Sequence, residues 1–229
     1  MTLPKLALNA QTGPDLALSL GFDALQNVDA GLGRGWSWGM SRLSPASKRL
    51  SLADGETQVA IVYDNRIEFP DKKLPTFIAE KSGNRVVITY RSGRRERLER
   101  FDDNVPLSPY VPVEIISPQG RSIHLQWEPF EGQPMLASIS DQDQRELLRV
   151  QRTEQAATIT LAGTDGESIE FRMVLSGDLV SSIELPVPGQ VAWRLRYEPY
   201  TAADLAMLTE VRSPSGNRHA NGSFEKIAW

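Results

Sequence analysis

Glu114-Ile-Ile-Ser-Pro-Gln-Gly-Arg121 and Glu210-Val-Arg-Ser-Pro-Ser-Gly-Asn217 are close copies of one another, and their reading decides the fold. Proline at the second position of a turn presets φ, and glycine two places later supplies a permissive backbone. After the first turn, Ile123, Leu125 and Trp127 alternate with Ser122, His124 and Gln126. Apolar residues at period two beside a tight turn specify a half-buried strand in a hairpin. The same alternation runs through Leu16, Leu18, Leu20 and Phe22, and through Val191, Trp193, Leu195 and Tyr197. Between such runs sit Ala53-Asp-Gly55, Ser82-Gly-Asn84, Ser92-Gly-Arg94, Thr164-Asp-Gly166 and Ser176-Gly-Asp178, which read as tight hairpin turns.

The pattern predicts about fourteen strands, typically of about five to eight residues. Helix signals are weak. Arg94–Arg100 continues a strand partner after a Ser-Gly turn and reads as a charged strand, while Thr201–Leu208 reads as one or two helical turns or a loop. The expected class is all-β: a large twisted antiparallel sheet of consecutive β-hairpins with little or no helix. Residues 1–229 form a single β-rich segment, which admits a sub-division into N-terminal hairpins (1–105) and degenerate repeats (106–229).

The repeat lies in the second half. Leu136-Ala-Ser-Ile139, Val180-Ser-Ser-Ile183 and Leu208-Thr-Glu-Val211 share an L/V-x-x-I/V strand followed by a turn and a returning strand. An aromatic followed by an acid recurs as Phe22-Asp23, Tyr63-Asp64, Phe101-Asp102, Trp127-Glu128 and Tyr197-Glu198. Spacing is uneven: Ile115, Ile139, Ile183 and Val211 are 24, 44 and 28 residues apart. Such hairpins cannot bury an apolar face alone, and stacking of neighbours completes it.

Composition removes several classes of chemistry. The 229 residues carry 25 Lys+Arg against 29 Asp+Glu, a net charge of −4, with no cysteine and two histidines. Counterion release on nucleic acid needs clustered cations, which this balance argues against. Thiolate nucleophiles, cysteine zinc sites and disulfides are absent with the cysteines. No continuous apolar stretch of signal-peptide type opens the chain, and no window approaches the ~20 apolar residues of a membrane span.

Individual constellations read as structural. Gly35-Trp-Ser-Trp-Gly39 matches the G-x-S-x-G elbow, but that motif needs a strand-to-helix turn, and Met40–Pro45 is no helix. Trp36 and Trp38 share one face of a strand and are expected to pack against a neighbouring layer. Gly31-Leu-Gly-Arg-Gly35 lacks phosphate-loop spacing; its glycines read as allowing a close turn into the Trp36 strand. His124 reads as an exposed strand residue, and His219 as part of an edge. Asp141-Gln-Asp-Gln-Arg145 lacks the glycine and distal glutamate of a calcium loop and reads as a polar turn. Arg91, Arg94, Arg95, Arg97 and Arg100 interleave with Glu96 and Glu99 as a paired surface. Asn221-Gly-Ser223 reads as an ordinary turn. No catalytic, metal or cofactor residue is assigned.

The opening Gly13-Pro-Asp-Leu16-Ala-Leu18-Ser-Leu20, followed by Gly31-Leu-Gly33-Arg-Gly35-Trp36-Ser37, resembles the G-P-x-L-x-L-x-L … G-x-G-x-G-W/F-S opening of bacterial Rhs-repeat proteins. Arg49–Glu56 and Tyr90–Gly93 are similar to segments of that family. The two turns built on Ser117, Pro118 and Gly120 and on Ser213, Pro214 and Gly216, with the strand end at Trp127, look like degenerate copies of its YD repeat. The resemblance runs roughly from Thr12 to His219. It implies a β-sheet wall, related to Tc-toxin components, that encapsulates a polypeptide toxin. It further implies residence in the bacterial cytoplasm before export by a type VI or toxin-complex route, with no signal peptide. The expected partners are further Rhs-repeat polypeptide, or a second copy pairing through exposed strand edges, and the toxin domain. Nucleic acid and a membrane span are not expected. At 229 residues the chain is expected to be a segment of such a wall. The rival reading is a carbohydrate-binding β-module using exposed tryptophans, a label that repeat similarity also suggests.

Overall fold

The computed structural model describes residues 13–14, 16–71, 76–163, 166–189, 191–200 and 205–220. Among them are twenty strands and no helix. The first seven are short: β1 (Leu20–Phe22), β2 (Trp36–Trp38), β3 (Arg42–Ser44), β4 (Arg49–Ser51), β5 (Thr57–Val59), β6 (Ile61–Val62) and β7 (Ile67–Glu68). Longer strands follow: β8 (Phe77–Ser82), β9 (Arg85–Tyr90), β10 (Arg95–Arg100), β11 (Tyr110–Ile116), β12 (Ser122–Phe130) and β13 (Gln133–Asp141). The series ends with β14 (Glu146–Arg152), β15 (Ala156–Ala162), β16 (Ser168–Ser176), β17 (Leu179–Glu184), β18 (Ala192–Tyr200), β19 (Leu205–Arg212) and β20 (Arg218–Ala220).

β8 to β20 lie side by side in chain order, each antiparallel to its neighbours, in one open 16-stranded sheet. β3, β4 and β5 complete it by branching from β11, where Tyr110 pairs with Leu43. The branch exists because β11 and β12 pair only from Glu114 to Ile116. Beyond that point the Trp127 indole N–H donates to the Pro112 carbonyl at 2.7 Å, filling an acceptor the ladder leaves behind. Buried backbone carbonyls need such partners.

The all-β expectation is met. The count of about fourteen was low, since β1 to β7 have only two or three residues each and carry no long alternating run. In Leu16–Phe22 only Leu20–Phe22 forms a strand, with an isolated bridge at Ser19, although Leu16 and Leu18 are also buried. Their alternation reports packing against the sheet face, not strand pairing. Leu205–Leu208 belongs to β19 and is not helical, because it pairs residue by residue with Tyr197–Tyr200. The start of that segment, Thr201–Asp204, lies outside the described residues, as do Thr164, Asp165 and the Asn221–Ser223 sequence.

Two apolar clusters form on the sheet. The larger joins Ile115, Ile123, Leu136, Ile139, Leu148, Ile159, Met173, Val180, Ile183 and Val211 to Leu16, Leu18, Leu20, Leu32, Trp36 and Met40. The smaller joins Val86, Ile88, Leu98 and Tyr110 to Leu43, Leu50, Leu52 and Ala60. One face of the sheet is therefore covered twice: by residues 16–40 as a strap, and by β3–β5.

Candidate functional site: a strap seated on bulged repeats

In a regular strand, residues three apart face opposite sides. Leu136 and Ile139 nevertheless both lie in the core, as do Val180 and Ile183. A β-bulge in each strand resolves this, because an extra residue on one strand restores the same side. Trp127 faces Leu136 while Gln126 faces Ser138, leaving Ala137 unopposed. Ser181 and Thr209 are skipped in the same way in β17 and β19. A fourth copy, Pro112-Val-Glu-Ile115, skips Val113 in β11. The L-x-x-I/V motif is thus the sequence form of a bulge.

The turns that follow are equally uniform. Gly120 N–H donates to the Ser117 carbonyl, Ser117 N–H to the Arg121 carbonyl, and Arg121 N–H to Ser117 Oγ. Ser213, Gly216 and Asn217 repeat all three bonds. Asp141, Gln144 and Arg145 repeat them again, with the Asp141 carboxylate accepting in place of the hydroxyl. This third copy escaped motif reading because it lacks both proline and glycine; Gln144 takes the positive φ of 64° itself. A short acceptor side chain at the first position is what the geometry demands.

The strap docks through side chains. Asp29 is buried and accepts the N–H groups of Gly31 and Gly33 at 2.7 and 2.8 Å. Its other oxygen meets the Arg152 guanidinium at 3.0 Å, in a pair buried on both sides. Arg34 pairs with Asp178 at 2.9 Å, and its N–H donates to the Asp178 carbonyl. The Trp36 indole donates to the Tyr197 hydroxyl at 3.1 Å, and Phe22 packs between both rings. Burial pushes the Tyr197 phenol well above its usual value, with the indole bond opposing weakly. Gly33 has φ +102°, and a Cβ there would stand 2.7 Å from Val180 and 2.9 Å from Leu175. Gly31 lies as close to Met135, and Gly35 to Phe22. The Gly31–Trp36 motif is therefore a seat against the sheet; Pro14, Leu16 and Leu18 are buried on the same strap, with Gly13 partly buried before them.

A polar seam separates the two clusters. Glu96 is 1% exposed and meets Arg94 at 2.7 Å, while the Tyr90 hydroxyl pairs with buried Ser41. Ser41 Oγ also accepts the Ala53 N–H. Burial, reinforced by the Glu96 charge, holds the Tyr90 phenol above its usual value. Burial also lowers Arg42 below the ordinary guanidinium value.

Other singled-out residues stay apart. Ser37 sits mid-strand in β2 opposite Gly21, with no helix following. His124 pairs across the ladder with Glu114 and Ser140 and approaches Ser122 Oγ. His219, in β20, pairs in register with Val211 of β19. Arg97 is bridged to Glu99 and Glu114. Trp36 is buried, while Trp38, Trp127 and Trp193 are half-buried and packed on the larger cluster. Among the described residues no group of three or more His, Asp or Glu side chains could hold a metal ion. Among the described residues no helix is long and apolar enough to cross a membrane.

No family model matches the chain, and no curated protein matches it in sequence.

Proposed function

We propose that the chain is a non-catalytic wall segment of an Rhs-type β-shell, shielding a polypeptide toxin cargo for delivery. The observation that carries this reading is the repeated unit of bulged strand and hydrogen-bonded turn, laid side by side in an open sheet. A sheet that keeps neighbours in chain order grows by adding hairpins, and its curvature accumulates at each bulge. That is the geometry of a wall. The motif order from Gly13 to Gly216 supports the same reading.

In this role the open end at β20 receives further hairpins of the same type, from a neighbouring polypeptide or a second copy. Light scattering across a concentration series, with hydrogen exchange, tests it. Association that protects the outer amides of β19 and β20 is expected. A strictly monomeric chain with no downstream reading frame carrying YD repeats would overturn it.

A further inference from the structure

Among the described residues the β8–β20 series of the sheet has two ends, β8 and β20, and they are built differently. Among the described residues β8 forms a ladder only with β9, which makes it an edge strand of the sheet. Such edges recruit other strands unless something blunts them, and an inward-pointing charge is one such device. Lys81 is that charge. It alternates with Phe77 and Ala79 on the covered face of β8, and it is only 7% exposed. No carboxylate pairs with it in the described structure; its ammonium donates to the carbonyls of Asp64 and of Gly83, the latter at 2.6 Å.

Those two bonds tie a second element to the edge. Asp64 belongs to the tip joining β6 to β7, and Asn65 from the same tip accepts the Gly83 N–H at 3.4 Å. The tip is itself braced: Arg66 stacks on Tyr63 at 4.2 Å and bridges Glu68. Lys81 also lies 5.9 Å from the Tyr110 ring, where Arg100 donates to the phenol oxygen. A second strand adding to β8 would have to displace this tip or leave the ammonium without its acceptors. An unpaired charge at a buried position is costly. β8 also has a reason to need guarding, since Ile78 on its outer face is 62% exposed.

We infer that β8 is a closed terminus of the sheet, so that pairing with a second copy of this chain, or with any repeat polypeptide, is excluded there and the β8–β20 series grows from its β20 end alone. This rests on the wall reading for the identity of the partner, but not for the guard itself. Three full-length chains test it: wild type, Lys81→Val and Lys81→Met. Sedimentation over a hundredfold concentration range is read together with hydrogen exchange at the β8 amides that do not donate to β9. The wild type is expected to leave those amides unprotected at every concentration. Both variants are expected to associate at least about tenfold more tightly, with those amides newly protected. Asn65→Ala, which frees the tip without touching the core, is expected to do the same more weakly and replaces the Lys81 variants should they unfold. Protection of the β8 edge in an associated wild type would overturn the inference. So would folded variants that gain no association. Failure at β8 leaves the β20 measurement unaffected, so the two readings fail separately.

Discussion

The strap and the β3–β5 meander cover the same face of one sheet by opposite means. β3–β5 is covalently and hydrogen-bond continuous with the sheet, joining it through the Tyr110–Leu43 pairing and then burying Leu43, Leu50 and Leu52. The strap makes almost no ladder with it. It is pinned by Asp29 on Arg152, Trp36 on Tyr197, and a glycine lying against Val180 and Leu175. A ladder uses backbone groups that every residue carries, so it tolerates many sequences. A side-chain seat depends on particular residues, and single changes should cost more there.

The largest effect should come from Arg152→Met, which leaves the buried Asp29 carboxylate without its countercharge. Removing one partner of a buried pair costs about 3–5 kcal/mol. Urea unfolding should show this loss, and limited proteolysis should cut the strap before β3–β5. Equal cleavage of both covers would break the comparison. Next comes a matched glycine pair. Gly33→Ala combines positive φ with overpacking against Val180 and Leu175 and should cost about 2–4 kcal/mol. Gly55→Ala, in the β4–β5 turn at φ +90° with nothing within 4 Å, should cost only about 1 kcal/mol. Comparable losses at the two sites would show that backbone strain, not seating, sets the strap's sensitivity.

Ser41→Ala strips partners from Tyr90 and the Ala53 amide and should cost about 1–3 kcal/mol, measured by the thermal midpoint. The two buried tyrosines then give a pH test. Each has a folded pKa raised above its unfolded value of about 10, so the folded state holds the proton more tightly. Stability from them is complete below about pH 10 and falls as pH rises further. Tyr197→Phe and Tyr90→Phe should each flatten that alkaline decline, the first in strap proteolysis and the second in that of β3–β5. The smallest change lies outside both covers. Gln144→Gly relieves a left-handed glutamine and should raise stability by about 0.5–1 kcal/mol without altering either cover's protease sensitivity.

Much of this was legible before the structure, and unevenly so. Turns carrying Ser-Pro-x-Gly or Asp-Gly announced themselves because positive φ and a preset φ leave few residue choices. The Gly31–Trp36 motif stood out for a related reason, since close approach to Met135, Val180 and Phe22 admits only glycine. The strap it belongs to did not, because Leu16 and Leu18 alternate as strand residues do whether they pair or merely pack. Asp141–Arg145 was read as a polar turn, but its equivalence to the Ser-Pro turns was hidden by hydrogen bonds that serine and aspartate make alike. The salt bridge between Asp29 and Arg152 spans 123 residues, and no local pattern encodes it. The guard at Lys81 was invisible for the converse reason: a lysine in a six-residue strand looks solvated until its neighbours are placed.

The four bulges of the L-x-x-I/V type have a consequence for how such a chain can change length. Each adds one residue to a strand and so reverses the parity of everything before it relative to everything after. Deleting Ala137 alone would remove the bulge and leave Leu136 and Ile139 two apart on the same face, whereas deleting Thr160 from the unbulged β15 would turn Ile159 and the residues before it over with respect to Leu161. The loss of two residues from a turn would leave that parity intact. Length variation in this sheet should therefore be tolerated in single steps at a bulge, in even steps elsewhere within strands, and freely between them.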